Sequence, residues 1–307
     1  MLCDKPYQVP EYLLKKTETL RKIRMAIAGA ENSIALQGAK QAADAGLIEP
    51  VLVGDKSLIT KLAKGICWHI PNFDIVDAAG EDKASAAAVA LANSGEVSAL
   101  MKGHIHTDSL MRAVLHRERG LRTERRLSHI FHMTVPDNDR VLFITDGAIN
   151  VKPNTDTKID IINNAAFLAR ALGNPIPRVA LLSATESISS AMPSSVDASE
   201  VVKRAREGEV INALVAGPLA LDNAISPYAA KLKGIGGPVA GNADILVVPN
   251  IETGNGLFKM MAYFMSGLAA GIVIGAKVPI VLTSRADPPE ARFAAAALAV
   301  ITAQQEV

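Results

Sequence analysis

The chain has 307 residues, 49% of them apolar, enough to bury a substantial core in one large domain or two moderate ones. Its 32 lysines and arginines nearly cancel 31 aspartates and glutamates, so no global field exists to hold nucleic acid or an anionic membrane. Any anionic ligand must be met by local arginines and backbone amides. Cys3 and Cys67 lie far apart, which excludes a disulfide framework and points to a reducing, cytoplasmic setting. The polar N-terminus does not read as a secretory signal.

In chain order, β-branched and apolar runs predict strands at 24–28, 51–53, 73–76, 97–101, 141–145, 178–182, 210–215, 244–248 and 278–283. Alanine-rich amphipathic segments at 82–93, 108–117, 158–172 and 198–206 predict helices between them. Such alternation implies an α/β fold, doubly wound, with parallel strands covered by helices on both faces. Continuous apolar runs such as Ile245-Leu246-Val247-Val248 fit strands buried on both sides. Breaks near 137–140 or 146–156 suggest two closely docked domains, residues 1–145 with 284–307 and residues 146–283, with a ligand cleft between them.

The uncharged run between Lys259 and Lys277 carries Gly267, Gly271 and Gly275 at GxxxG spacing. It falls short of the ~20 residues that span a bilayer. It reads instead as a buried helix whose glycines admit a close backbone, followed by a core strand.

Chemistry in parallel sheets gathers where strands end and helices begin. Four such junctions stand out. The first, Met101 to Arg112, offers a helix capped by Thr107 or Asp108, with exposed amides and Arg112 one turn in; it could hold a phosphate, or Arg112 could simply pair with Asp108. His104 and His106 at alternate positions would suit a metal only with a third ligand, and none is in sight. The second, Thr145 to Asp156, is longer than a plain crossover needs and ends at a cap expected at Thr155 or Asp156. The third, Asn250 to Gly256, has two glycines beside a helix start; these are either turn glycines or an anion nest. The fourth delivers Ser284-Arg285 at the end of a buried strand, and Asp287 and Glu290 behind it have capping-box spacing. No nucleophile elbow, HExxH motif or dinucleotide fingerprint occurs, and His69, His116, His129 and His132 read as surface or satisfied core residues.

These junctions are also where the chain resembles the phosphate acetyl/butyryl transferase family. The matching stretches are Leu100–Leu115 (LMKGHIHTDSLMRAVL), Gly120–Leu127 (GLRTERRL), Gly237–Lys259 (GPVAGNADILVVPNIETGNGLFK) and Val278–Asp287 (VPIVLTSRAD), with an N-terminal echo in Ala45–Asp55 (AGLIEPVLVGD). The first and last look closer to the butyryl branch.

The resemblance implies two α/β domains of the isocitrate/isopropylmalate dehydrogenase kind, a homodimer, and coenzyme A in the interdomain cleft. It implies an acyltransferase acting on acyl-CoA, phosphate and acyl phosphate by direct thiol attack. Coenzyme A is then a substrate, and no permanently bound cofactor or metal is expected. Ser284 and Arg285 match the family's active-site pair and Arg112 a phosphate-binding arginine. Thr107 is expected beside the phosphate, and Gly254, Asn255 and Lys259 along the coenzyme A path. Where the acetyl branch has a catalytic aspartate, this chain has Ala291; the neighbouring Glu290 is the candidate base, in competition with its capping role. Two other readings stand beside this one. A hydroxy-acid dehydrogenase of the same architecture would need a metal-holding aspartate cluster that is not found. A non-catalytic ligand-binding homologue would not need an intact Ser284, Arg285 and Arg112.

Overall fold

A computed structural model describes residues 3, 5–283 and 287–305. The chain divides into two compact units, Tyr7–Arg125 with Ala270–Val307, and Met1–Pro6 with Arg126–Ala269. Both are α/β.

The first unit runs α1 (Glu11–Thr17), β1 (Ile23–Ala28), α2 (Ser33–Asp44), β2 (Ile48–Gly54), α3 (Lys56–Gly65), β3 (Ile75–Asp77), α4 (Glu81–Asn93), β4 (Ala99–Lys102) and α5 (Thr107–Val114). Helices start where a short polar side chain can accept an orphan amide: Asn32 Oδ1 accepts from Ile34 N at 2.8 Å and Asp55 from Leu58 N at 2.9 Å.

The second unit holds β5 (Ser128–Val135), β6 (Asn138–Thr145), α6 (Thr155–Ala171), β7 (Arg178–Leu182), α7 (Pro193–Arg204, continued by a π-turn), β8 (Leu214–Leu219), α8 (Leu221–Ile225), α9 (Pro227–Leu232), β9 (Ile245–Val247) and α10 (Ile251–Phe264). Strand β10 (Leu268–Ile274) begins here and ends in the first unit, where β11 (Ile280–Val281) and α11 (Pro289–Ala303) complete the chain.

In the first unit the strand order is β3-β2-β1-β4-β11, all parallel, with β10 antiparallel on β11. Residues 25–28 of β1 are fully buried, as a strand covered on both faces requires. Helix α11 supplies much of that cover. Its alanines 294–297 have no exposed surface, and their small side chains let it pack closely on α2 and α1. In the second unit the order is β5-β6-β9-β7-β8; β5 and β6 form a hairpin and the rest are parallel. Its core gathers Phe131, Met133, Ile144, Leu182, Leu246 and Phe258.

Three sequence expectations need correction. The run between Lys259 and Lys277 is not one buried helix. Helix α10 ends at Phe264, Ser266 turns at φ 49°, and Gly271 lies inside β10, which is buried along its whole length. Strand β5 was not expected, because Ser128, His129 and His132 interrupt its apolar alternation, yet all three are fully buried. The strand expected at 210–215 starts at Leu214, because Asn212 at φ 51° turns the chain first.

Candidate active site

The parallel strands β1, β4 and β11 bring their carboxyl ends to one edge of the first unit. The exits of β1 and β4 touch backbone to backbone. Gly103 N donates to Ala28 O and His104 N to Gly29 O, each at 2.8 Å. A Cβ on Gly103 would stand 2.3 Å from the Gly29 carbonyl oxygen, so only glycine fits this crossing. The crossing buries Lys102, 3% exposed at the end of β4, whose ammonium donates to Ile105 O at 3.1 Å and Gly103 O at 3.4 Å.

The loop beyond it is held by α4. Glu81 accepts from His106 N at 3.1 Å and from His106 Nδ1 at 2.8 Å, and these hydrogen bonds hold its carboxyl below the usual range. Helix α5 then starts at Thr107 with His106 as its cap, making no side-chain capping bond; the expected cap at Thr107 or Asp108 is displaced by one residue. Thr107, half-buried, occupies the first turn, where amides lack helical acceptors. Arg112 pairs with Asp82 of α4 at 3.3 Å rather than with Asp108. Both side chains are more than two-thirds exposed, so this pair contributes little stability and leaves the guanidinium able to exchange partners.

On the same edge, β11 leads to Leu282 and Thr283, the latter 2% exposed. Ser284 and Arg285, the pair singled out by the sequence, lie outside the described residues. Beyond them α11 is capped at Pro288, with no side-chain capping bond, so the Asp287–Glu290 capping box does not form. Glu290 is half-buried in the first turn, with no hydrogen-bond or ion-pair partner among the described residues. Ala291 is 1% exposed, so its position faces the core.

In the second unit the junctions after β6 and β9 come together. The Asp146 carboxylate, 1% exposed, accepts from His129 N at 3.1 Å, Ala148 N at 2.8 Å, Ile149 N at 3.0 Å and Asn150 Nδ2 at 2.7 Å. A single buried anion thus folds the long loop onto β5. Helix α6 behind it is capped by Asn154, not Thr155 or Asp156.

Helix α10 begins at Ile251, so Gly254 and Gly256 are helical, not loop glycines. The expected anion nest is not formed. Ile251 N donates to Val151 O at 2.9 Å, Thr253 N to Asn250 Oδ1 at 2.9 Å and Gly254 N to Asn250 O at 3.3 Å. Gly254 serves packing instead, since a Cβ there would stand 2.7 Å from the Asp146 carbonyl oxygen. Phe258, one turn on, stacks on Phe131 at 3.8 Å and seats the helix on β5. Asn255 and Lys259, at i,i+4, share one face; Asn255 Nδ2 donates to Gly147 O at 3.4 Å and Lys259 is exposed.

Lys102, Asp146 and Glu81 were not expected as organising residues. The available signal was a charge set directly against an apolar run, as in Leu100-Met101-Lys102 and Ile144-Thr145-Asp146. Among the described residues no group of three or more His, Cys, Asp or Glu could hold a metal ion. No described helix is long and apolar enough to cross a membrane.

The same architecture occurs in the structure of a branched-chain phosphotransacylase from Enterococcus faecalis, with a TM-score of 0.80 and 34% identity over 92% of this chain and all of that one. A 4-hydroxythreonine-4-phosphate dehydrogenase from Klebsiella pneumoniae shares the fold alone, at TM-score 0.57 and 14% identity over 92% of this chain and 100% of that one. The fold and its strand-end junctions thus define a protein of the phosphotransacylase class. Residues 78–300 match the family described as Phosphate acetyl/butaryl transferase. The phosphate acetyltransferase of Rickettsia typhi is 46% identical over 288 residues, 94% of this chain and 82% of that protein. The phosphate butyryltransferase of Clostridium beijerinckii is 39% identical over 291 residues, 95% and 96% of the two chains. The chain belongs to the phosphate acetyl/butyryl transferase family.

Proposed function

We propose that this enzyme transfers a short acyl group between coenzyme A and inorganic phosphate, acyl-CoA and phosphate giving acyl phosphate and CoA. The observation that carries the reading is the family match, which spans the junctions after β4, β6, β9 and β11. In the direction of thioester synthesis the coenzyme A thiol, with a pKa of about 8.5, loses its proton to Glu290. The thiolate attacks the acyl carbonyl carbon, a C–S bond forms, and the C–O bond to phosphate breaks. Ser284 donates to the oxyanion, a role in which one hydrogen bond can supply ~3 kcal/mol. Arg285 and Arg112 hold the phosphate with planar, fork-shaped donors, and Thr107 adds a first-turn contact. Asn255 and Lys259 meet coenzyme A, and Gly254 sets their helix against the Asp146 loop. No covalent enzyme intermediate and no bound cofactor are needed.

Apolar side chains exposed on α10, Met260, Tyr263 and Phe264, are consistent with a homodimer. The near-balanced charge and a cysteine count too low for a disulfide framework fit a cytoplasmic enzyme.

The test is thiol release when acetyl-, propionyl-, butyryl- or branched acyl-CoA is mixed with phosphate in the presence of EDTA. Phosphate-dependent release is expected with at least one of them. Folded protein that turns over none would refute the reading. The whole-chain identities do not separate the acetyl and butyryl branches in favour of the butyryl one, so the same panel assigns the acyl chain.

A further inference from the structure

Helix α11 is apolar almost throughout, and from Ala291 to Thr302 Arg292 is the one charged side chain it buries. Arg292 is 4% exposed. Taking a guanidinium out of water costs several kcal/mol, and a methionine or leucine would fill the same space without that cost. The burial pushes the Arg292 pKa down, against the attraction of the Asp287 carboxylate. Room for the side chain is made deliberately. Gly38 of α2 faces it, and a Cβ there would stand 3.1 Å from Arg292 Cδ. The charge is therefore retained for what it holds. Arg292 Nη1 donates to Thr283 Oγ1 at 2.9 Å, and Asp287 is the anion that acts on it. Thr283 immediately precedes Ser284, and Asp287 immediately follows Ala286.

We propose that Arg292 is a positioning residue for acyl transfer: it ties Thr283, the residue that leads into Ser284, to α11, fixing where the chain enters the reacting pair. The proposal rests on the reading of Ser284 and Arg285 as that pair. Misplacement of a reacting group by about 1 Å can cost ~10²-fold in rate, so the clamp should act on kcat and not on coenzyme A binding.

The experiment compares Arg292→Gln, Arg292→Lys, Thr283→Val and Ser284→Ala by kcat, KM for each substrate and thermal melting, with rates expressed per folded molecule. Arg292→Gln is expected to lower kcat by ~10²-fold with the KM for coenzyme A within about threefold. Arg292→Lys should recover part of that loss, having charge without the fork. Thr283→Val keeps the shape but removes the acceptor, and should lower kcat in the same direction; it decides the matter if Arg292→Gln does not fold. Wild-type kcat in Arg292→Gln or, failing that, in Thr283→Val, beside an impaired Ser284→Ala, overturns the positioning role alone. So does a lower melting temperature with kcat intact. A wild-type rate in Ser284→Ala overturns the reading of the pair, and the clamp with it.

Discussion

Ser284, Arg285 and Glu290 follow one another around a single strand-to-helix junction, yet each should fail differently when altered. In the proposed mechanism Ser284→Ala removes a donor needed mainly in the transition state, so kcat is expected to fall by ~10²-fold or more with substrate binding little changed. Arg285→Ala should also raise the KM for phosphate, because its charge is felt in the ground state. Glu290 has lost the competing role that its spacing suggested, since α11 is capped at Pro288 and the capping box is not made. Glu290→Gln is therefore expected to leave the melting temperature nearly unchanged while lowering kcat, least severely at high pH, where the thiol ionises unaided. A kcat–pH profile that matches wild type would remove Glu290 from the mechanism. At the neighbouring position Ala291 is buried, so a carboxylate could not be placed there without desolvating it.

At the scale of elements, α10 shows how packing places the face proposed to meet coenzyme A. Gly254 lets the first turn lie on the backbone of Asp146 and Gly147, and Phe258 then locks the helix onto Phe131. Gly254→Ala would force a Cβ to within 2.7 Å of a carbonyl oxygen, overpacking that costs about 1–3 kcal/mol. A lower melting temperature and a raised KM for coenzyme A are expected together. Asn255→Ala, by contrast, should raise the KM for coenzyme A more than that for phosphate without a comparable loss of stability. Equal effects on the two substrates would leave Asn255 a structural partner of Gly147 only. The glycines of this helix were read as turn or nest residues because sequence registers their conformational freedom, whereas their use here is close approach, which depends on a segment far away in the chain.

For the molecule as a whole, acid sensitivity should trace in part to one imidazole. His132 is buried on β5 against Phe143, and desolvation pushes its pKa from 6.5 down to about 4. The unfolded chain therefore takes up this proton first. The stability associated with neutral His132 is fully present above about pH 6.5 and is lost as pH falls toward 4, by about 3 kcal/mol across that window. His132→Gln, compared with wild type in denaturant melts at pH 7, 6, 5 and 4, is expected to show a shallower loss over this range, whatever its stability at pH 7. Parallel pH dependences would assign the sensitivity to other groups.

Much of the protein was legible before any fold was known. Apolar runs flanked by alanine-rich amphipathic segments determine an α/β fold by themselves, because burial of a strand on both faces demands continuous hydrophobicity whatever the partner strands are. The strand ends were legible for a related reason: the apolar runs stop there, and chemistry collects at the carboxyl edge of parallel strands, where Thr107, Arg112, Ser284 and Arg285 are proposed to act. What only the tertiary structure decided was partnership across long separations. Arg112 met Asp82 instead of its helical neighbour Asp108, Asp146 collected amides from the loop and from β5, and Arg292 reached back to Thr283. Local spacing governs which residues share a helical turn. Which charge is buried, and against what, follows from the close packing of elements that the sequence keeps far apart.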